Sequence, residues 1–230
     1  MAETATSAIV RPAARSGRPR AASRAELERV GFTLFERNGF DDTTIDDIAA
    51  AAGIGRRTFF RYFASKNDLV WGDFEAELDR LRFLLAAVPA ETPIMEALRG
   101  VVIEFNRFDN DAVPWHRRRM ELILQVPALR ADSTLRYRSW QTAIIEFAAA
   151  RAGLPVTAPE PRLIGHLALA ACITAYELWL DDEPSDLAAL LDDVFRQLEN
   201  GFRGLPDHRS SGRSDDADRP LMADSHTPAP

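Results

Sequence analysis

The run Arg56-Arg57-Thr58-Phe59-Phe60-Arg61-Tyr62 gathers three guanidinium groups and two hydroxyls within two helical turns. Guanidinium forks pair with guanine edges or phosphate oxygens, and a helix of this size enters the major groove of DNA. The residues before it supply what such a helix needs for support. Ile48 and Ala52 face inward from a preceding helix, Ala49 is small where two helices would cross, and Gly53 permits a left-handed turn. Ile54, Phe59 and Tyr62 or Phe63 then form the apolar side of the second helix, leaving Arg56, Arg57, Thr58, Phe60 and Arg61 outward. An ordinary helical hairpin with solvated arginines shares part of this pattern. Spacing, capping and charge together point instead to a DNA-reading head.

A second set of residues suits a ligand. Phe105, Phe108, Trp115, Met120, Leu124, Trp140, Ile144 and Phe147 fall on three consecutive predicted helices and form a large apolar inventory. His116-Arg117-Arg118-Arg119 covers most of a helical turn, so at least one arginine is expected at a pocket or its mouth, the alternative being a charged face paired with acids. The expected ligand-binding residues are Phe105, Phe108, Trp115, Arg117, Arg119, Met120, Trp140 and Ile144. Catalytic chemistry has no comparable support. No Ser/His/Asp grouping stands out, and Gly53-Ile54-Gly55 follows a helix where a dinucleotide turn would follow a strand. The one cysteine, Cys172, and four scattered histidines offer no metal-ligand spacing. The expectation is a non-enzyme with neither metal nor cofactor.

The 230 residues must position these two sets. A hydrophobic share of 46% suffices for a core, and the formal net charge of −7 conceals a split. Residues 1–66 carry +3 and residues 67–230 carry −10, with Lys66 as the sole lysine. A basic unit joined to an acidic one fits a nucleic-acid module beside another domain. Residues 1–22 read as a disordered basic arm and 204–230 as a disordered polar tail. Between them the reading is all-α, with nine helices: a helix-turn-helix DNA-binding domain over 23–66 and a helical ligand-binding and dimerisation domain over 67–203. Ser23/Glu26, Thr44/Asp47 and Ser65/Asp68 have capping-box spacing. The later helices are expected over about 67–87, 93–108, 114–125, 128–151, 160–180 and 185–202. No apolar run approaches the ~18 residues of a membrane span, and no secretory leader is evident, so a cytoplasmic protein without membrane contact is expected. The last two helices carry wide apolar faces, including Leu163 and Leu167, then Leu191 and Leu198, suited to a four-helix homodimer interface.

Phe40 through Leu69, FDDTTIDDIAAAAGIGRRTFFRYFASKNDL, resembles the N-terminal signature of TetR-type transcriptional regulators. Within that family, GRRTFFRYFASKNDLVWGDF is similar to the mycofactocin-system regulators. The resemblance implies a homodimeric repressor on a palindromic double-stranded DNA operator, with a small-molecule effector held in the larger domain. It also implies DNA contacts from Thr44, Arg56, Arg57, Thr58, Phe60, Arg61, Tyr62 and Lys66. Three departures stand out: Gly55 replaces a capping Ser, Arg57 a small residue and Phe60 the usual Tyr. An apolar inventory beside arginines suits an acyl chain with a phosphate-bearing head, so a long-chain acyl-CoA is the expected effector. The competing expectation is an architectural or scaffold DNA binder with no effector.

Overall fold

A computed structural model describes residues 23–182 and 184–203. The expected arm and tail lie outside the described residues, within which every regular element is helical. In chain order these are α1 (Arg24–Asn38), α2 (Ile45–Ala51), α3 (Arg56–Phe59), α4 (Lys66–Trp71), α5 (Phe74–Ala86), α6 (Ile94–Phe105), α7 (Val113–Gln125), α8 (Pro127–Ala152), α9 (Pro159–Asp181) and α10 (Leu187–Glu199). The nine-element layout holds, with its fourth element broken in two. Gly72, at φ +66° and ψ −142°, ends α4, and Asp73 restarts the chain by capping the Ala76 amide of α5. Only glycine adopts that backbone without strain.

The caps form where the spacing placed them. Ser23 and Ser65 accept from the amides of Glu26 and Asp68, and Thr44 with Asp47 completes the reciprocal box. Two apolar cores result. The first joins Leu27, Phe32 and Phe35 of α1 to Ile48, Phe59, Phe63 and Leu69, and it also takes in Ile123 of α7 and Leu129 of α8. The second gathers α5, α6, α8, α9 and α10 around Leu81, Leu98, Ile144, Ala175 and Phe195.

Two expectations about the last helices change. Helix α9 is 23 residues long and apolar enough by length and composition to cross a membrane. Here it packs between α8 and α10, and buries Gly165, Ala168, Ala171, Cys172, Ala175, Tyr176 and Trp179. Its outer face leaves Leu163 59% and Leu167 39% exposed. Leu191 is fully buried in the second core, so it is not part of any apolar surface. On α10 the outward positions are polar, Asp193, Arg196 and Gln197 among them.

Candidate DNA-reading head and ligand cavity

Helix α3 follows α2 through a turn built on Gly53, whose φ is +66°. Gly55 starts it without a side-chain cap, and its hydrogen-bonded turns continue past Phe59 to Phe63. Phe59 and Phe63 are buried, which leaves Arg56, Arg57, Phe60 and Arg61 exposed on one side. Thr44 is exposed at the start of α2, while Thr58 and Tyr62 are half-buried. Arg56 pairs with Asp46 at 2.7 Å and lies 5.5 Å above the Phe60 ring. Arg61 rests over Tyr62 and donates to its hydroxyl.

Lys66 differs from its expected place at the DNA. Its ammonium donates inward to the carbonyls of Phe40 at 2.5 Å and Thr43 at 2.8 Å. An ammonium has three donors and no acceptor, so it serves here as a tie for the loop before α2. Partial burial holds its pKa below the usual lysine value, partly offset by Asp41 and Asp42.

A cavity of about 200 Å³ opens where the two cores meet, between α4–α5, the end of α6, α7, α8 and α9. Phe105, Phe108, Arg119, Met120 and Trp140 are in its walls, together with Trp71, Phe74, Tyr137, Leu169, Cys172 and Ile173. Three expected ligand residues stand elsewhere. Trp115 packs against Phe32 of α1 with ring centroids 4.5 Å apart. Ile144 is fully buried in the core behind the wall. Arg117 donates to the carbonyls of Trp179 and Leu180, where a cation complements the C-terminal end of α9.

One wall is polar. Asn106 donates its amide to the Val102 carbonyl at 2.8 Å, which turns its oxygen toward the Tyr176 hydroxyl. That bond uses the only hydroxyl proton of Tyr176, so the 2.8 Å contact with His116 must be donated by His116 Nε2. Burial, with Arg119 nearby, pushes the His116 pKa down to about 3. The ring is therefore neutral at physiological pH, with its Nδ1 lone pair free to accept. Phe108 stacks on it at 3.9 Å. His116, Asn106 and Tyr176 were missing from the expected ligand residues. Cys172, also in the wall, has its thiol pushed up to about 12 by burial and stays protonated. His166 is exposed and hydrogen-bonds Gln141, away from the cavity wall.

Helix α7 ties this cavity to the reading head. Arg118 pairs with Glu36 and Arg119 with Glu28, both on α1, at 2.5 and 2.7 Å. Each arginine of the cluster is thus engaged with a protein partner, and none forms an open phosphate cradle. Arg136 of α8 adds a pair with Asp68 of α4 at 2.5 Å.

Residues 29–70 match the family described as bacterial regulatory proteins, tetR family, and residues 92–203 match the MftR C-terminal domain. The chain is 41% identical over 191 residues to a Mycobacterium tuberculosis protein named for mycofactocin biosynthesis regulation, MftR, covering 83% of this chain and 96% of that one. It is 29% identical over 175 residues to the HTH-type transcriptional regulator TcmR of Streptomyces glaucescens, covering 73% and 77%. Among solved structures, the fatty acid degradation regulator FadR from Bacillus halodurans aligns with a TM-score of 0.58 at 18% identity, over 78% of this chain and 96% of that one. FadR from Bacillus subtilis, solved in complex with stearoyl-CoA, aligns with a TM-score of 0.55 at 17% identity, over 78% and 99%.

Proposed function

The chain belongs to the TetR family of bacterial transcriptional regulators, within the group carrying the MftR C-terminal domain, and we propose that it is a ligand-released repressor of mycofactocin genes. In this reading it works in the cytoplasm as a homodimer on a palindromic operator. Arg56, Arg57, Thr58, Phe60, Arg61 and Tyr62 face the groove, Thr44 meets a phosphate, and Lys66 supports the loop behind them. The exposed leucines of α9 give two copies an apolar face to share around a two-fold axis, and two heads so related suit a palindrome.

The observation that carries the reading is the sharing of α7 between cavity and reading head. His116, Arg119, Met120 and Ile123 are in the cavity wall, while Trp115, Arg118 and Arg119 hold α1. A cavity of about 200 Å³ is somewhat larger than the ~150 Å³ void that accepts benzene in another protein. A long acyl chain must widen it, and widening displaces the α7 wall that α1 rests on. An architectural DNA binder has no need of such an opening. The Bacillus subtilis FadR complex makes a long-chain acyl-CoA the first ligand to test, its chain against Phe105, Phe108, Met120 and Trp140. The phosphates of coenzyme A must be met by exchange of existing arginine pairs.

A labelled operator duplex followed by fluorescence anisotropy tests this. Oleoyl-CoA should release the protein, whereas free CoA and acetyl-CoA should not. If oleoyl-CoA neither binds nor releases DNA, the effector assignment fails and the regulator assignment stands.

A further inference from the structure

Among the described residues, four buried N–H groups lack a hydrogen-bond partner: Arg24 Nε, Trp71 Nε1, Arg99 Nε and Arg119 Nε. Two have carboxylates close by, Arg24 Nε at 3.7 Å from Glu28 and Arg99 Nε at 4.0 Å from Glu199. The other two, Trp71 Nε1 and Arg119 Nε, belong to residues in the cavity wall. Buried donors are rarely left without a partner, and each such group calls for an explanation. The wall's other polar side chains bond neither of them: His116 Nε2, Tyr176 and Asn106 bond one another, Glu77 pairs with Arg80, and the open Nδ1 of His116 accepts from neither donor.

Arg119 is also the residue that spans both sites. Its Nη2 holds Glu28 of α1 at 2.7 Å, and its guanidinium lies against Gly72, where even a Cβ would come within 2.5 Å of Nη1. Gly72 in turn accepts from Arg24 of α1 at 2.7 Å. Trp71 is the last residue of α4, next to this glycine. The two unpartnered donors therefore sit on residues flanking the break between α4 and α5, at the end of the cavity nearest the reading head.

We infer that the effector presents an acyl oxygen, a carboxylate or thioester carbonyl, to Arg119 and Trp71, and that Arg119 leaves Glu28 to take it. The ligand's head is thus read by the residue that latches α1, and its apolar body by the aromatic walls. Ligand and Glu28 compete for one guanidinium, so loosening the latch tightens ligand binding, as reciprocity of coupled equilibria requires. This rests on the proposal that the cavity is the effector site, and it adds the polar group recognised and the contact that recognition breaks.

Calorimetric titration of the full chain with dodecanoate, dodecanoyl-CoA and dodecyltrimethylammonium tests it, with helical content checked by circular dichroism. The two acyl probes should bind and the cationic one should bind at least about tenfold more weakly, a difference of about 1.4 kcal/mol. Arg119→Met keeps the bulk and removes the donor, and should weaken acyl binding about tenfold or more. Trp71→Phe should weaken it severalfold. Glu28→Gln touches no cavity wall, yet should tighten acyl binding severalfold and weaken operator binding without ligand. A purely structural role for the pair predicts no such tightening. Wild-type affinity in Arg119→Met and Trp71→Phe, or weakened acyl binding in Glu28→Gln, overturns the inference alone. Failure of both acyl probes to bind the wild-type chain overturns it together with the acyl-effector reading.

Discussion

Arg56 and Arg57 are adjacent, yet the structure makes them unequal readers. A bidentate arginine–guanine pair contributes roughly 1–3 kcal/mol of discrimination. Arg57 has no ion pair among the described residues, so all of that is available to it. Arg56 must first leave Asp46, its partner at 2.7 Å, with side chains 57% and 65% exposed. An exposed pair of this kind is worth about 0–1 kcal/mol. Arg57→Ala should therefore lower operator affinity by roughly five- to 150-fold, and Arg56→Ala by up to about fivefold less than that. Asp46→Asn should raise affinity by up to about fivefold, because it frees Arg56. It also removes a negative charge near phosphates, so the gain must be compared in the Arg56→Ala background, where only the charge effect survives. Fluorescence anisotropy at fixed salt compares the four variants with wild type, on the operator and on single base-pair variants. A larger loss from Arg56→Ala than from Arg57→Ala, with the same Asp46→Asn gain in both backgrounds, would refute the argument.

Leu163→Glu with Leu167→Glu should yield helical monomers in sedimentation experiments, whereas Leu191→Glu, at a fully buried position, should fail to fold. Deleting residues 1–20, which removes Arg11, Arg15, Arg18 and Arg20, should flatten the salt dependence of operator binding by about 0.9 log units for each phosphate no longer neutralised, with base preference unchanged. Because His116 has its pKa lowered to about 3, it binds a proton more readily when unfolded. Its contribution to stability is full above pH 6.5 and is lost as the pH falls toward 3, with a slope of at most about 1.4 kcal/mol per pH unit. Urea unfolding between pH 6.5 and 4.5, above the range of the carboxylates, should show this slope flattened in His116→Gln. Gly72→Ala and Gly39→Ala both put a side chain on positive-φ backbone at about 1–3 kcal/mol, but only residue 72 presses on Arg119. Its melting temperature should fall further, by about 2–4 °C per additional kcal/mol.

The reading head was legible because its signals are local. Thr44 with Asp47, Gly53, and the alternation of buried Phe59 and exposed Phe60 are all set within a turn or two of chain. Gly72-Asp73 was as plain a stop and restart as Gly39 or Gly53, but aromatic residues on both sides made one continuous helix look reasonable. The cavity was partly hidden because helix faces, not residue types, decide what lines it. On α7 the wall residues His116, Arg119, Met120, Ile123 and Leu124 recur at helical spacing, whereas Trp115, Arg118 and Leu122 trace a neighbouring stripe on which Trp115 and Arg118 meet α1 and Leu122 packs on the first core. Arg117 belongs to neither and points to α9. On α9 the same logic separates Leu169, Cys172, Ile173 and Tyr176 from the outer Leu163 and Leu167. Which partner each stripe meets depends on tertiary packing, and no local signal carries it.

The proposed switch can be weighed against what release requires. Moving a two-state equilibrium from 1:99 to 99:1 takes about 5.5 kcal/mol of differential affinity. In a two-fold dimer with one ligand per subunit, about half of that falls on each cavity. The contacts between α7 and α1 are of that order. The Trp115–Phe32 pair is worth about 0.5–1.5 kcal/mol beyond its burial, and the exposed Arg118–Glu36 pair about 0–1 kcal/mol. The Arg119–Glu28 pair is the most enclosed, with side chains 20% and 14% exposed. Leaving one partner of a buried pair alone costs about 3–5 kcal/mol, but an acyl oxygen would replace Glu28 at Arg119, and Arg24 would remain beside Glu28 at 3.7 Å. Exchange lowers the cost of opening without abolishing the gain from closing. A hydrocarbon of equal size has no oxygen to offer Arg119, so it would have to open the same latch at full cost, which is why the chain should need its acyl oxygen beside it to release DNA.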